Sequence, residues 1–297
     1  MTGDRPIDQV RQMLAGLIGG PDTPFMERRA QAEQFAAAYA MPEGVRAVAD
    51  ELGGVPVEWI IPDNSKLSPV FFHLHGGGYV LGNPAGSRPL TVELALRNGA
   101  RVVSVDYRLA PEHPFPAAVD DSLKAYRTLL SRGYSGANIV MGGESAGGGL
   151  TIATLLAARE ARLALPSAAF AISPWTDLTC TAKSFDSKAA VDPLLTRRSL
   201  KEMGDAYLAG GDPTVPTASP HFADLTGLPP LLIHVGSDEV LLDDALALHV
   251  RAREAHVPVT LEEWEGMIHV WHMFYPMLPE AGDAIDKIVA FAQKHWR

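Results

Sequence analysis

From about residue 55 the chain alternates short apolar runs with longer stretches of helical periodicity. The runs VPVEWII (55–61), PVFFHL (69–74), RVVSVD (101–106), NIVMGG (138–143), AAFAIS (168–173), LLIHVG (231–236) and PVTLEEW (258–264) predict strands. The segments 86–97, 117–131, 146–161, 239–255 and 279–295 predict helices. Strands that are apolar at nearly every position must be covered on both faces, so the fold class is α/β with a mostly parallel sheet. In such sheets ligands bind beyond the carboxyl ends of the strands, and functional residues should lie just after these runs. Two regions stand outside the rhythm. Residues 1–50 read as helical, with a start at Thr23-Pro24 and an apolar face formed by Ala32, Phe35, Ala36 and Tyr39. The stretch 180–217 has helical character near 197–208 and no strand before it. The expected organisation is therefore an N-terminal helical cap segment, 1–50, and a catalytic domain, 51–297, whose insertion at about 180–217 joins the N-terminal helices as a lid.

Chemistry gathers where predicted strands end. Gly143-Glu144-Ser145-Ala146-Gly147 fits the pattern G-x-S-x-G. Small flanking residues permit a sharp strand-to-helix turn that lifts a serine clear of the sheet, and the runs on either side read as that strand and that helix. A second strand ends in His75-Gly76-Gly77-Gly78. Glycines leave backbone N–H groups open, and we assign an oxyanion hole to the N–H groups of Gly77, Gly78 and Ala146. A phosphate cradle is the rival reading of a glycine loop, but neither Gly-Lys-Ser/Thr nor a full G-x-G-x-x-G follows.

A serine nucleophile needs a base, and His269 is the candidate among ten histidines, because it lies after the last predicted strand and before the last helix. The order Ser, acid, His leaves the acid between residues 145 and 269. Asp238, two residues past LLIHVG, is favoured over Glu239 and Asp243 to orient the imidazole. A zinc site built on His73-x-His75 or His269-x-x-His272 is disfavoured: H-E-x-x-H is missing and there is one cysteine, Cys180.

Composition narrows the partners. A net charge of −10 disfavours nucleic acid and anionic membranes, leaving small neutral molecules as the easier ligands. The short apolar patch Met13–Ile18 follows Asp4 and Asp8 rather than a basic region, so it is not read as a signal peptide, and no run reaches the length of a membrane span. With a single cysteine, a cytoplasmic protein is the expectation.

Taken together, HGGGYVLG (75–82), DYRLAPEHPFPAA (106–118), GESAGGG (143–149), SPWTDL (173–178), SDEVLLDD (237–244) and GMIH (266–269) resemble the bacterial hormone-sensitive-lipase-like esterases. The resemblance implies an α/β-hydrolase fold with an eight-stranded sheet, a helical cap, no cofactor, and hydrolysis of short- to medium-chain acyl esters. It puts Ser145, Asp238 and His269 on the triad and Gly77, Gly78 and Ala146 on the oxyanion hole. The family often forms homodimers, and 258–264 is an edge that could pair. Two positions depart from the pattern. Glu144 stands where aspartate is usual, read here as a conservative swap that alters only local hydrogen bonding. Asp238-Glu239-Val240 stands where Asp-Pro-Leu is common. DYRLAPEHPFPAA is read as a structural turn braced by Arg108. Trp175, Phe25, Phe35 and Tyr39 could shape a substrate pocket or simply pack a core. Lactone hydrolysis needs the same triad and stays an alternative. A non-catalytic receptor, as in the related plant gibberellin receptors, is disfavoured because they lack the working histidine and this chain has His269.

Overall fold

A computed structural model describes residues 5–17, 23–63 and 65–297, the side chain of Phe35 excepted. Ile18, the last residue of the N-terminal apolar patch, lies outside them. The strands are β1 (Val45–Leu52), β2 (Val55–Pro62), β3 (Val70–Leu74), β4 (Arg101–Val105), β5 (Ile139–Glu144), β6 (Ala168–Ile172), β7 (Leu231–Gly236) and β8 (Val259–Trp264). They form one sheet in the order β1-β2-β4-β3-β5-β6-β7-β8, in which only the β1–β2 and β2–β4 pairings are antiparallel. The helices are α1 (Pro6–Leu17), α2 (Phe25–Ala38), α3 (Arg88–Asn98), α4 (Ala117–Ser131), α5 (Ala146–Glu160), the single turn α6 (Ser184–Ser187), α7 (Arg197–Leu208), α8 (Leu242–Glu254) and α9 (Pro279–His295).

The central strands are apolar at most positions because alternate residues enter two separate cores. Val70, Phe72 and Leu74 of β3 join Ile139 and Met141 of β5 and Leu231, Ile233 and Val235 of β7 on the face covered by α4, α5 and α8. Phe71, Val140, Phe170 and Leu232 point the other way, against Leu90 and Leu94 of α3 and Ile285 and Ile288 of α9. The period-two alternation of a strand is thus present, but both phases are apolar. Among the described residues no helix is long and apolar enough to cross a membrane.

One element corrects the sequence reading. Residues 45–50, taken as part of a helical segment, belong to β1, which pairs with β2 from Val45↔Pro62 to Leu52↔Val55. The hairpin turns on Gly53 and Gly54, with φ of 67° and 82°. Two consecutive left-handed residues are the signature of a tight hairpin turn whose twist matches its strands. The Gly-Gly pair, not the polar composition of Arg46, Asp50 and Glu51, carried the information. The helical N-terminal part ends at Ala38.

β6 leads into a loop held by a buried carboxyl on α8. Asp244 Oδ1 accepts the N–H groups of Thr176 and Asp177 at 2.8 and 2.9 Å. Burial pushes the Asp244 carboxyl up to about 7. A carboxyl raised in the folded state keeps a proton that the unfolded chain releases, so its contribution to stability is full below the ordinary carboxylate range and is lost as pH rises towards about 7. Buried neutral His75 and His234, pushed down to about 4 and about 3, act oppositely at acid pH, so the comparison must be between variant and parent. Asp244→Asn is expected to gain roughly 3–8 °C in Tm relative to the parent between pH 5 and pH 8. Thermal melts at both pH values check this, and a difference that stays flat or shrinks would contradict it.

Candidate active site

β3 lies between β4 and β5, the point where the strand order reverses, and the carboxyl ends of β3, β5 and β7 open onto one rim. Ser145 follows β5 directly. Its backbone has φ 57° and ψ −122°, a conformation that costs a non-glycine residue on the order of 1–3 kcal/mol and persists only where neighbours enforce it. They do: the Ser145 N–H donates to Ile172 O at 2.8 Å, and Ser145 O accepts the N–H of Gly148, Gly149 and Trp175. The elbow also lies tight against the end of β3. A Cβ on Gly147 would run into the carbonyl oxygens of Leu74 and His75, which is the physical reason for glycine there.

Ser145 Oγ lies 3.0 Å from His269 Nε2. The imidazole comes from the loop after β8, where Ile268 and Trp271 are fully buried anchors packed on Ile7, Val10 and Leu14 of α1. Its other nitrogen, Nδ1, lies 2.8 Å from a carboxylate, and that carboxylate is Glu239. The acid favoured from sequence, Asp238, is elsewhere: its Oδ2 accepts from Arg11 Nη2 of α1 at 2.7 Å. The correction has a simple geometry. Past Gly236 the chain turns, the Asp238 N–H donates to Met267 O, and consecutive side chains diverge. Asp238 faces α1 and remains partly exposed, whereas Glu239 is completely buried. Inside, Glu239 Oε1 accepts from Gly236 N–H at 2.7 Å and Ser173 Oγ at 2.8 Å. Two donors on one oxygen and an imidazole on the other satisfy a carboxylate that burial alone would make costly. Asp243, the other rival, accepts the Ser184 N–H and has no part in the cluster.

A usable signal for Glu239 existed. Sliding the Asp-Pro-Leu pattern by one residue sets it on Glu239-Val240-Leu241, which recovers the leucine. Ser173 and Arg11 carried no such signal, because contacts across 66 and 227 residues of chain are set only by the fold.

The loop after β3 faces the elbow. Gly77 and Gly78 have φ of 115° and 61°, and Tyr79 continues at 64°. Among the described residues the N–H groups of Gly77, Gly78 and Ala146 donate to no protein acceptor. Ala146 opens α5, so its amide adds the positive end of a helix dipole to the same rim. α2 and α7 brace this loop. Arg29 of α2 donates to Val80 O at 2.7 Å and Ala110 O at 2.6 Å. Tyr207 of α7 stacks on Tyr79 with centroids 3.9 Å apart, and Met203 covers Gly78. Ser145 and His269 are 7% and 6% exposed, so the reacting groups lie beneath these elements rather than on an open surface.

The remaining sequence candidates separate. Trp175 is fully buried under α7 and Phe25 packs on the same side, whereas Tyr39 packs into the core on the opposite face of the sheet. The side chain of Phe35 lies outside the described residues. His272 pairs with His234 at 3.1 Å in the core. Arg108 makes a two-pronged pair with Asp121 at 2.8 and 2.9 Å, bracing the proline-rich turn.

Comparison with known proteins places this geometry in context. Residues 71–273 match a family model described as alpha/beta hydrolase fold. An acetyl-hydrolase of Streptomyces hygroscopicus is 48% identical over 240 residues, covering 81% of this chain and 80% of that protein. An esterase of Acinetobacter venetianus is 37% identical over 233 residues, covering 78% and 77%. The crystal structure of an esterase from the bacterial hormone-sensitive lipase family superposes with a TM-score of 0.95 at 41% identity, covering 100% of both chains.

Proposed function

Because the chain belongs to the α/β-hydrolase family, and within it to the hormone-sensitive-lipase-like esterases, we propose that it is a serine carboxylesterase acting on short- to medium-chain acyl esters through Ser145, His269 and Glu239. The observation that carries the reading is the continuous relay from Ser145 Oγ to His269 Nε2, 3.0 Å, and from His269 Nδ1 to Glu239, 2.8 Å. His269 takes the hydroxyl proton as Oγ attacks the carbonyl carbon of the ester. Glu239 fixes the tautomer that leaves Nε2 free to accept, and stabilises the imidazolium that forms. The carbonyl oxygen becomes an oxyanion beside the N–H groups of Gly77, Gly78 and Ala146, each such donor being worth about 3 kcal/mol of barrier. Collapse breaks the C–O bond, and His269 returns the proton to the departing alcohol. Water, deprotonated by the same imidazole, then attacks the acyl-enzyme carbonyl. The second collapse releases the carboxylic acid and restores the serine hydroxyl.

α1, α2 and the 180–217 insertion act in this reading as a cap that screens the reacting groups from bulk water. The acetyl-hydrolase and esterase names of the relatives support a compact acyl group. We take the enzyme to be cytoplasmic, since its one cysteine, Cys180, is buried and unpaired. β8 is an outer strand, where a second copy could pair.

The test is a series of p-nitrophenyl esters from acetate to palmitate, run beside matched lactones and anilides. The expected result is a kcat/KM maximum between acetate and octanoate, with palmitate and the anilides lower by about 100-fold or more, a difference of about 3 kcal/mol in barrier. A preference for lactones over every ester would instead favour the lactonase alternative.

A further inference from the structure

Glu144, the residue before the nucleophile, is a side chain for which the acyl-transfer cycle has no use. It is 5% exposed, and burying an unsatisfied carboxylate is costly. Here it is fully engaged. Oε1 accepts the N–H of Gly76 at 2.9 Å and the hydroxyl of Ser87 at 2.7 Å. Oε2 lies 2.7 Å from His73 Nε2, and His73 Nδ1 lies 2.8 Å from Ser104 Oγ. Burial pushes the carboxyl up, but His73, Ser87 and the Gly76 amide outweigh it and hold Glu144 below the ordinary glutamate value. As an ionised carboxylate can only accept, His73 Nε2 must carry the proton. The bonds thus run from Ser104 on β4, through His73 on β3, to Glu144 at the end of β5, and on to Ser87 in the turn before α3.

The critical member is Gly76. It is the one amide of this network within the glycine loop, and it immediately precedes Gly77 and Gly78. A Cβ on Gly76 would come within 3.3 Å of Ser145 Cβ, so its backbone rests directly on the elbow. We propose that Glu144 is a positioning residue that fixes the oxyanion loop against the nucleophile by holding the Gly76 amide. The proposal rests on the esterase reading above. It departs from the view of Glu144 as a conservative swap with only local consequences. The same residue whose backbone leads into Ser145 also grips, with its side chain, the strand that supplies the opposing amides. The nucleophile and the oxyanion donors therefore cannot shift independently. Displacement of a catalytic group by about 1 Å is enough to cost about 100-fold in rate.

Glu144→Gln keeps an amide oxygen able to accept from Gly76 and Ser87, whereas Glu144→Ala removes every bond. With p-nitrophenyl butyrate, Glu144→Ala is expected to lower kcat by about 30- to 100-fold with KM within about threefold, and Glu144→Gln to recover kcat to within about fivefold of the parent. A butyl trifluoromethyl ketone, whose serine adduct places an oxyanion at the same amides, should lose affinity for Glu144→Ala by the same factor as kcat. A purely structural role predicts lower Tm without this parallel loss. If Glu144→Ala does not fold, Ser87→Ala takes its place, with about a three- to fivefold loss expected in both kcat and ketone affinity. The proposal is overturned if kcat and ketone affinity both stay within threefold for Glu144→Ala (or are unchanged for Ser87→Ala). It is equally overturned if the glutamine variant is no better than alanine, or if kcat falls while ketone affinity does not. A parent protein inert to both ester and ketone sinks the esterase reading and this proposal together, whereas a reactive parent with indifferent Glu144 variants sinks the proposal alone.

Discussion

Ser145→Ala is expected to lower kcat for p-nitrophenyl butyrate by about 10⁴- to 10⁶-fold while the protein melts within a few degrees of the parent. The two halves of this expectation have separate physical bases. The loss is large because Oγ forms the covalent bond, and the remaining amides and binding contacts can stabilise only a direct attack by water. The fold should survive because the elbow is held by its backbone. Ile172 O, and the N–H groups of Gly148, Gly149 and Trp175, bond to main-chain atoms of residue 145, and alanine retains all of them. Among the described residues the side chain contributes a single hydrogen bond, to His269. Alanine tolerates φ of 57° about as poorly as serine, so the substitution adds no new strain. Steady-state kinetics with a burst-free preparation checks the rate, and a fluorophosphonate label that reacts with the parent but not the variant checks the atom. Near-normal turnover by a folded Ser145→Ala protein would overturn the nucleophile assignment outright.

Much of this architecture was legible in the sequence because the sheet is buried on both faces. Six strands, β2 to β7, are nearly continuous apolar runs, the half-exposed outer strand β8 is a shorter alternation of apolar and polar residues, and each long helix of the sheet layer follows one of these strands. β1 was not legible by that rule. It is an outer strand with most of its residues in partial contact with solvent, so Arg46, Asp50 and Glu51 masked it. Its hairpin turn at Gly53-Gly54 was the better guide. At the rim the same contrast appears. Ser145 and His269 are reached from local patterns, a tight turn for one and a position after the last strand for the other. The carboxylate is reached only by knowing which way a turn sends two adjacent acidic side chains. That depends on Arg11 waiting on one side and on Ser173 and Gly236 N–H on the other, none of which has a local signature.

The sharpest consequence of that one-residue difference is a paired substitution. Glu239→Gln is expected to lower kcat by about 10³- to 10⁴-fold, whereas Asp238→Asn should leave it within about threefold. In Glu239→Gln the amide is nearly the size and shape of the carboxylate. Its oxygen can still accept either from Gly236 N–H and Ser173 Oγ or from the imidazole, not from both sides at once. If the NH₂ group turns towards His269, it donates to Nδ1 and drives the proton to Nε2, the nitrogen that must be free to accept from Ser145. The buried site then also lacks the negative charge that stabilises the imidazolium, and that loss is large because Glu239 is shielded from water. Asp238→Asn removes a partly exposed ion pair with Arg11, an interaction worth about 1 kcal/mol or less, and its amide oxygen can still accept from the guanidinium. The variant should therefore lose a little Tm through looser docking of α1 and keep its chemistry. Parallel kcat and KM measurements on the two proteins, with Ser145 labelling as a control for active-site integrity, separate the roles. The reverse pattern, with Asp238→Asn crippled and Glu239→Gln active, would return the acid to Asp238 and require the turn after β7 to rotate inward when substrate binds.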